Sequence, residues 1–438
     1  MFYGKRFPNV SALYNVRPSA CPLRFRATMG GYSRFDNSVN ERLALRELGM
    51  AAFFSIRSDL RRRREGHGTG RAFLAKLFVG CDLLRQADVS NSQTVHSGDY
   101  PKRDWRDWRE EHFQASFRFR KADMPRLLAA LELPQQLITK EGYKFTADEA
   151  VTILLLKLTT PTTLHAIHRA TGHRPGRASS LLKLLWQWFD DTWSLRLLAS
   201  DLTQWAPQFP VWADAIFAAT GHRGLDGCIG FIDGTLRCIA RPVSHEDVMF
   251  NGHHWKHGMV FQAWTAPNGL CIDLAGPVRG RRHDTHLLRK SKLLVRLKAA
   301  FAAAGYAEGE YCLYADAGYH TSPFLIASFR RAAGALAPAK AKLNRVMSGV
   351  RIAVEWGFGR VANMFGALEY TKLQQVNRSA VGLQYRTAVI LANAHCCLYG
   401  NQTTQAFDVS PPTLEEYFQG APQQPGGWAQ ADDSDMSC

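Results

Sequence analysis

The stretch Cys228–Ala240, CIGFIDGTLRCIA, narrows the choice of fold more than any other. Its apolar, β-branched and aromatic residues predict a buried strand. One carboxylate, Asp233, stands at its centre, followed at once by Gly234 and Thr235. Burying a lone charge costs roughly several kcal/mol unless a cation or hydrogen-bond donors compensate it. Whatever sheet this strand joins must therefore bring Asp233 a counter-charge.

The chain has 438 residues, room for two or three domains, and 46% apolar content, enough for a sizeable core. No apolar run approaches the roughly 20 residues that a membrane span needs; Val151–Leu156, for instance, is cut by Lys157. A soluble protein without a membrane partner is expected. Lysine and arginine outnumber acids by 54 to 38, for a net charge of +16, which favours a polyanion such as nucleic acid as partner. The nine cysteines form no CxxC pair, which argues for a reducing compartment and against structural zinc.

Residues 1–104 form a variable basic region, expected to be partly disordered. Residues 1–35 hold six Lys/Arg and no acid, a composition shared by a basic leader and a transit peptide. Helical spacing covers Leu43–Leu60 and Thr69–Val89. The run Arg61–Arg64 suits a nuclear import signal, a phosphate patch or a solvated helix face, and Asn91–Asp104 reads as a linker.

Residues 105–220 predict an all-helical domain. In Phe117–Leu133, Leu127, Leu128 and Leu131 share a face, and Thr146 predicts an N-cap for a helix reaching about Leu158. Thr162–Ala170, the turn TGHRPG and Arg177–Phe189 predict a helix–turn–helix. Its second helix sets Arg177, Ser180, Lys183 and Gln187 opposite an apolar stripe, where they suit contact with a DNA groove or phosphates. Such helix pairs are also common in domains that never touch DNA.

Residues 221–400 switch to strands: Cys228–Ala240, then Gly258–Ala266 and Leu270–Val278 around the turn Pro267–Asn268–Gly269. Helix Asp284–Ala299, strand Tyr311–Ala315 and helices Ser322–Ala333, Gly349–Leu368 and Ala380–Leu398 follow. The order predicts a mixed α/β sheet covered by helices. Residues 401–438, rich in Gln, Pro, Gly and Asp, are expected to be a disordered tail.

Three acids stand out by position. Asp233 is mid-sheet, Asp316 ends the strand EYCLYAD, and Glu355 borders an apolar stripe formed by Val350, Val354, Phe358, Val361, Phe365 and Leu368. Gly357 and Gly359 would let that helix approach the sheet closely. Converging carboxylates would call for Mg²⁺ or Mn²⁺, hard cations that favour oxygen ligands. Separate local roles account for the same residues: Glu355 pairing with Arg351, Asp316 capping a turn, Asp233 accepting backbone donors. Spacing alone favours these local roles.

The ordered set GFIDGT, NGHHWKHGMVFQAWTAPNGL, GPVRGRRHDTHLL, LYADAGY and NRVMSGVRIAVEWGFGRV resembles the DDE-superfamily nucleases of Harbinger-type transposases, over roughly residues 115–400. The resemblance implies an RNase H-like core preceded by the helical domain. It also implies a catalytic, metal-holding triad of Asp233, Asp316 and Glu355, with Asn344, Arg351 and Phe358–Gly359 around the glutamate. Asp284 in GRRHD matches a family motif too, as a secondary metal or substrate residue or simply an N-cap. Arg279, Arg281 and Arg282 suit phosphates or a solvated surface. His253, His254 and His257 are not read as a zinc site, since no Cys or acid was seen to complete them.

The implied function is metal-dependent hydrolysis of DNA phosphodiesters, with strand transfer in a transposase. The alternative is a domesticated DNA-binding or assembly protein without catalysis. By resemblance, a Myb/SANT-like protein partner serving DNA binding and nuclear import is expected; a nuclear location (with cytoplasm as a second site) and a homo-oligomer are further expectations.

Overall fold

The computed structural model describes residues 100–197, 201–330, 335–376 and 378–419. The basic leader, the helices expected at Leu43–Leu60 and Thr69–Val89, and Arg61–Arg64 lie outside the described residues. The chain from Asp99 onward forms one compact unit.

Helices α1 (Glu110–Phe117) and α2 (Met124–Leu131) lead into a hairpin of β1 (Gln136–Ile138) and β2 (Lys144–Thr146). The expectation of an all-helical region is thus corrected. In each triplet only the middle residue, Leu137 or Phe145, is buried, so a period of two prevails over a stretch too short to display it clearly.

Helix α3 (Ala147–Thr159) starts at a capping box. The Thr146 hydroxyl accepts the Glu149 N–H at 3.2 Å, and the Glu149 carboxylate accepts the Thr146 N–H at 3.0 Å. Helices α4 (Leu164–Thr171) and α5 (Pro175–Trp193) follow, joined by Gly172–Arg174, where Gly172 adopts φ +79°. Ala178, Leu181, Leu182 and Leu185 of α5 are buried, as their stripe requires. Helix α6 (Phe209–Thr220) then brings Phe209 and Trp212 against the sheet, where both rings approach Trp264 at 6.2 Å.

The sheet is built from β3 (Cys228–Cys238), then α7 (Glu246–Met249), β4 (Phe250–Asn251), β5 (Lys256–Thr265) and β6 (Cys271–Arg279). Helices α8 (Asp284–Ser291) and α9 (Leu293–Ala304) precede β7 (Cys312–Ala315) and β8 (Leu325–Ala327). Strand β5 pairs antiparallel with β3, β4 and β6, while β7 runs parallel to both β3 and β8. A three-stranded meander thus continues into two parallel strands, and β3 lies between the two halves.

Two expected helices differ. Asp284–Ala299 is divided at Lys292, which takes φ +52° while the Ser291 hydroxyl accepts the Leu293 N–H at 3.3 Å. Ser322–Ala333 instead holds β8. Leu325 and Ala327 both bury beside β7, in an apolar run too short to reveal its period.

Helix α10 (Pro338–Met364) crosses the sheet, and α11 (Val381–Tyr399) packs beside β6. The former begins eleven residues before the expected Gly349, and Phe365 and Leu368 lie past its end. Gly357 does approach the sheet, its missing Cβ 3.3 Å from the Thr265 hydroxyl, whereas Gly359 faces open space.

The tail expectation is overturned for residues 401–419. Helices α12 (Gln402–Phe407) and α13 (Leu414–Phe418) each begin at a capping box, and Phe407, Leu414, Tyr417 and Phe418 are buried. Polar residues dominate the composition after Asn401, and these few apolar anchors disappear in the average. No helix among the described residues is long and apolar enough to cross a membrane.

Candidate active site

The register of β3 and β7 brings two of the acids together. Phe231 pairs with Tyr314 in parallel, so two residues further along each chain Asp233 comes beside Asp316. Asp233 is still within its strand, and its side chain is 18% exposed. One carboxylate oxygen accepts the Gly234 N–H at 2.9 Å and the other takes the Arg351 guanidinium from α10. Asp316 stands one residue past β7, where it accepts the Gly318 N–H at 2.8 Å.

A third carboxylate joins them. Asp284 is the first residue of α8 rather than its N-cap, a position held by His283. Its carboxylate lies directly over Gly234, where any Cβ would collide with it. Burial pushes the Asp233 carboxyl up to about 6, Arg351 and the Gly234 N–H oppose the shift, and Asp316 and Asp284 add to it. Asp284 is also raised, by burial first and by Asp316 second.

Glu355 sits one helical turn after Arg351, whose second nitrogen reaches it at 3.2 Å. Its side chain is 56% exposed. Arg351 thus bridges Asp233 and Glu355. All three local roles expected from spacing are present: Asp233 with a backbone donor, Asp316 in a turn, Glu355 with Arg351. They leave unexplained why Asp233, Asp284 and Asp316 gather at one sheet edge, where the crowding of negative charge adds to the upward shifts of Asp233 and Asp284.

One supporting residue, Gln262, escaped the reading of the sequence, and a second, Asn344, entered it through the resemblance alone. Gln262 of β5 is 2% exposed and donates to the Asp284 carbonyl at 3.0 Å and to the Tyr319 hydroxyl at 2.7 Å. A lone amide within the apolar run MVFQAW was the available signal. Asn344 makes a two-way amide contact with Phe329, at 2.9 Å in each direction, and fixes the chain after β8 to α10.

The donor set of hard carboxylate oxygens around an excess negative charge suits a divalent cation. Among the described residues, however, no group of three or more His, Cys, Asp or Glu is arranged to hold a metal. Arg351 supplies the positive charge instead.

The other expected residues fall into two places. On the helix–turn–helix face, Arg177 lies 5.2 Å from the Tyr143 and Phe145 rings and donates to the Lys144 carbonyl at 3.2 Å. Ser180 hydrogen-bonds Glu141, whose carboxylate also attracts Lys183, and Gln187 donates to Asp191 at 2.8 Å. Arg279, Arg281 and Arg282 line an open cleft of about 1020 Å³ with His283, Arg289 and Lys292. The cleft begins beside Asp284. His253 and His254 occupy a turn at the start of β5. His257 does meet an acid, Glu246, at 3.2 Å, which spacing could not reveal.

Residues 232–393, which include Asp233, Asp284, Asp316 and Glu355, match the family described as DDE superfamily endonuclease. The match supports that superfamily for this segment and suggests nuclease or transposase activity, with DNA as the implied substrate. No curated protein and no solved structure matches the chain. The mixed sheet with its covering helices is compatible with a DDE nuclease fold.

Proposed function

We propose that the chain is a divalent-metal-dependent DNA endonuclease of the Harbinger transposase type, with an RNase H-like core. The observation that carries this reading is the gathering of Asp233, Asp284 and Asp316 at the edge of the β3–β7 pair, with Glu355 one turn from the residue bound to Asp233. The strand arrangement, an antiparallel meander continued by two parallel strands, supports the core assignment.

Asp233, Asp316 and Glu355 would hold Mg²⁺ or Mn²⁺, with Asp284 as a secondary ligand or substrate contact. When bound, the metal supplies a water activated for attack on a phosphodiester and stabilises the leaving oxygen. Gln262 holds the start of α8, and so Asp284, in place. Arg351 keeps Asp233 and Glu355 oriented toward each other. The cleft lined by Arg279, Arg281 and Arg282 offers charge to DNA phosphates. Hydrolysis would leave a 3′-OH, which in a transposase goes on to attack target DNA. A Myb/SANT-like partner, a nuclear location and a homo-oligomer accompany this reading.

The alternative, a transposase-derived DNA-binding protein without catalysis, draws on one observation: Arg351 already pairs with both Asp233 and Glu355 and offsets part of their charge. Plasmid nicking with Mg²⁺ or Mn²⁺ separates the two. The enzyme should nick, and Asp233→Asn should lower the rate at least about a thousandfold. Nicking that survives Asp233→Asn, or that needs no metal, sinks the mechanism; metal-dependent binding without nicking favours the alternative.

A further inference from the structure

We propose that Trp255, in the turn joining β4 to β5, is a stacking plate for an unpaired nucleobase of single-stranded DNA. The proposal rests on the nucleic-acid reading above and adds a contact outside the carboxylate site. Trp255 is 80% exposed, while the other large aromatic rings among the described residues mostly pack inside. Its backbone is held at φ +53°. Of the six non-glycine residues with positive φ among the described residues, Arg118, Glu132, Lys292 and Asp408 close helices, and His245 precedes α7. Trp255 alone lies in a turn between strands. Bulky residues seldom adopt this conformation, and they gather at functional sites when the surroundings enforce it.

The enforcement is visible. The Asn251 side chain accepts the N–H groups of both His253 and His254 at 3.0 Å, and it donates to the Gly280 carbonyl at 2.7 Å. The Arg281 N–H in turn reaches the Val248 carbonyl at 3.2 Å. One amide therefore fixes the indole turn to the loop that carries Arg279, Arg281 and Arg282. Five Lys/Arg (Arg241, Lys256 and those three) accompany the turn against two acids, Glu246 and Asp247. Glu246 is engaged by Arg241 at 2.8 Å and His257 at 3.2 Å.

A rigid aromatic face beside positive charge is what an unpaired base and its phosphate require, because every base offers a π-face and stacking is sequence-tolerant. Paired bases already stack on their neighbours, so a duplex offers the indole much less. Along β5, Trp255 lies eight residues before Ala263, the partner of Asp233, which is about 26 Å at the rise of an extended strand. The base it stacks on is thus well removed from the scissile phosphate.

The test is fluorescence anisotropy of the full chain, in EDTA, with labelled oligo-dT of about 20 nucleotides and a duplex of equal length. Trp255→Ala should weaken single-strand binding at least about fivefold, Trp255→Phe should restore most of it, and duplex binding should change by less than about twofold. Trp255→Gly, which removes the backbone strain, should lose the same affinity while its melting temperature holds or rises. Unchanged oligo-dT binding by Trp255→Ala, equal loss in Ala and Phe variants, or equal loss on duplex overturns the assignment while leaving the nuclease reading intact. A wild-type chain that binds neither DNA overturns the stacking assignment, and plasmid nicking with metal then decides the nuclease reading separately.

Discussion

Glu149 and Asp233 are both poorly exposed carboxylates, and the protein treats them in opposite ways. Glu149 accepts the Thr146 N–H at 3.0 Å and the Lys102 ammonium at 2.7 Å, and lies 3.4 Å from His173. His173 foremost, with Lys102 and the Thr146 N–H, holds it down at about 2 against the cost of burial. Asp233 has Arg351 and one N–H, yet burial and two further aspartates push it up to about 6. A carboxylate that serves only the fold has all its partners within the fold. One that is left short of positive charge, beside others of its kind, marks a place where something else must bind.

The largest contrast is in activity. Asp233→Asn should reduce metal-dependent nicking at least about a thousandfold, whereas Glu149→Gln should stay within about threefold at a temperature where both are folded. Equal losses would mean that the two carboxylates do not differ in kind.

Stability should reverse the ranking. The folded value of Glu149 lies below the unfolded one, so its stabilisation is complete above about pH 4.5 and fades as pH falls toward 2. Glu149→Gln should cost about 2 kcal/mol at pH 7, allowing for partial solvent screening. In chemical denaturation the gap to wild type should close between about pH 4.5 and 2. A gap independent of pH would assign the loss to packing.

Asp233 follows the opposite sign. Its folded value is raised, so the stability linked to its proton is complete below about pH 4 and is lost as pH rises through about 6. Asparagine imitates the protonated form. Without metal, Asp233→Asn should be more stable than wild type by about 1 kcal/mol at pH 8, and equal to it near pH 4. A less stable variant at pH 8 would show that the ion pair with Arg351 outweighs the burial of the charge.

How far these differences were legible depended on range. The Thr146 cap, the β5–β6 hairpin and the buried strand around Asp233 are local patterns, and the sequence displays them in full. That Asp233 and Asp316 end up side by side depends on β3–β7 pairing across more than eighty residues, and only the ordered motifs anticipated it. The Asp284 carboxylate over Gly234 and the Gln262 contacts arise from packing between α8, β5 and Tyr319, which no spacing rule encodes. Asn401–Gln419 was misjudged because Phe407, Leu414, Tyr417 and Phe418 find their partners far away in the chain, as Phe418 does against Trp193 at 4.8 Å.

The smallest predicted effect concerns the helix–turn–helix face, which resembles Glu149 rather than Asp233. Its polar residues are already engaged: Arg177 with Tyr143, Phe145 and Lys144, Ser180 and Lys183 with Glu141, Gln187 with Asp191. Lys183→Ala and Gln187→Ala should therefore change duplex affinity by less than about twofold and leave its salt dependence intact. Arg177→Ala should instead lower the melting temperature by a few degrees, roughly what losing two half-buried cation–π contacts and a hydrogen bond implies. Arg281→Ala, in the cleft beside Asp284, should reduce the slope of log affinity against log salt by about 1. If Lys183→Ala shifts that slope as much as Arg281→Ala does, the helix–turn–helix face contacts phosphates despite its partners on the protein.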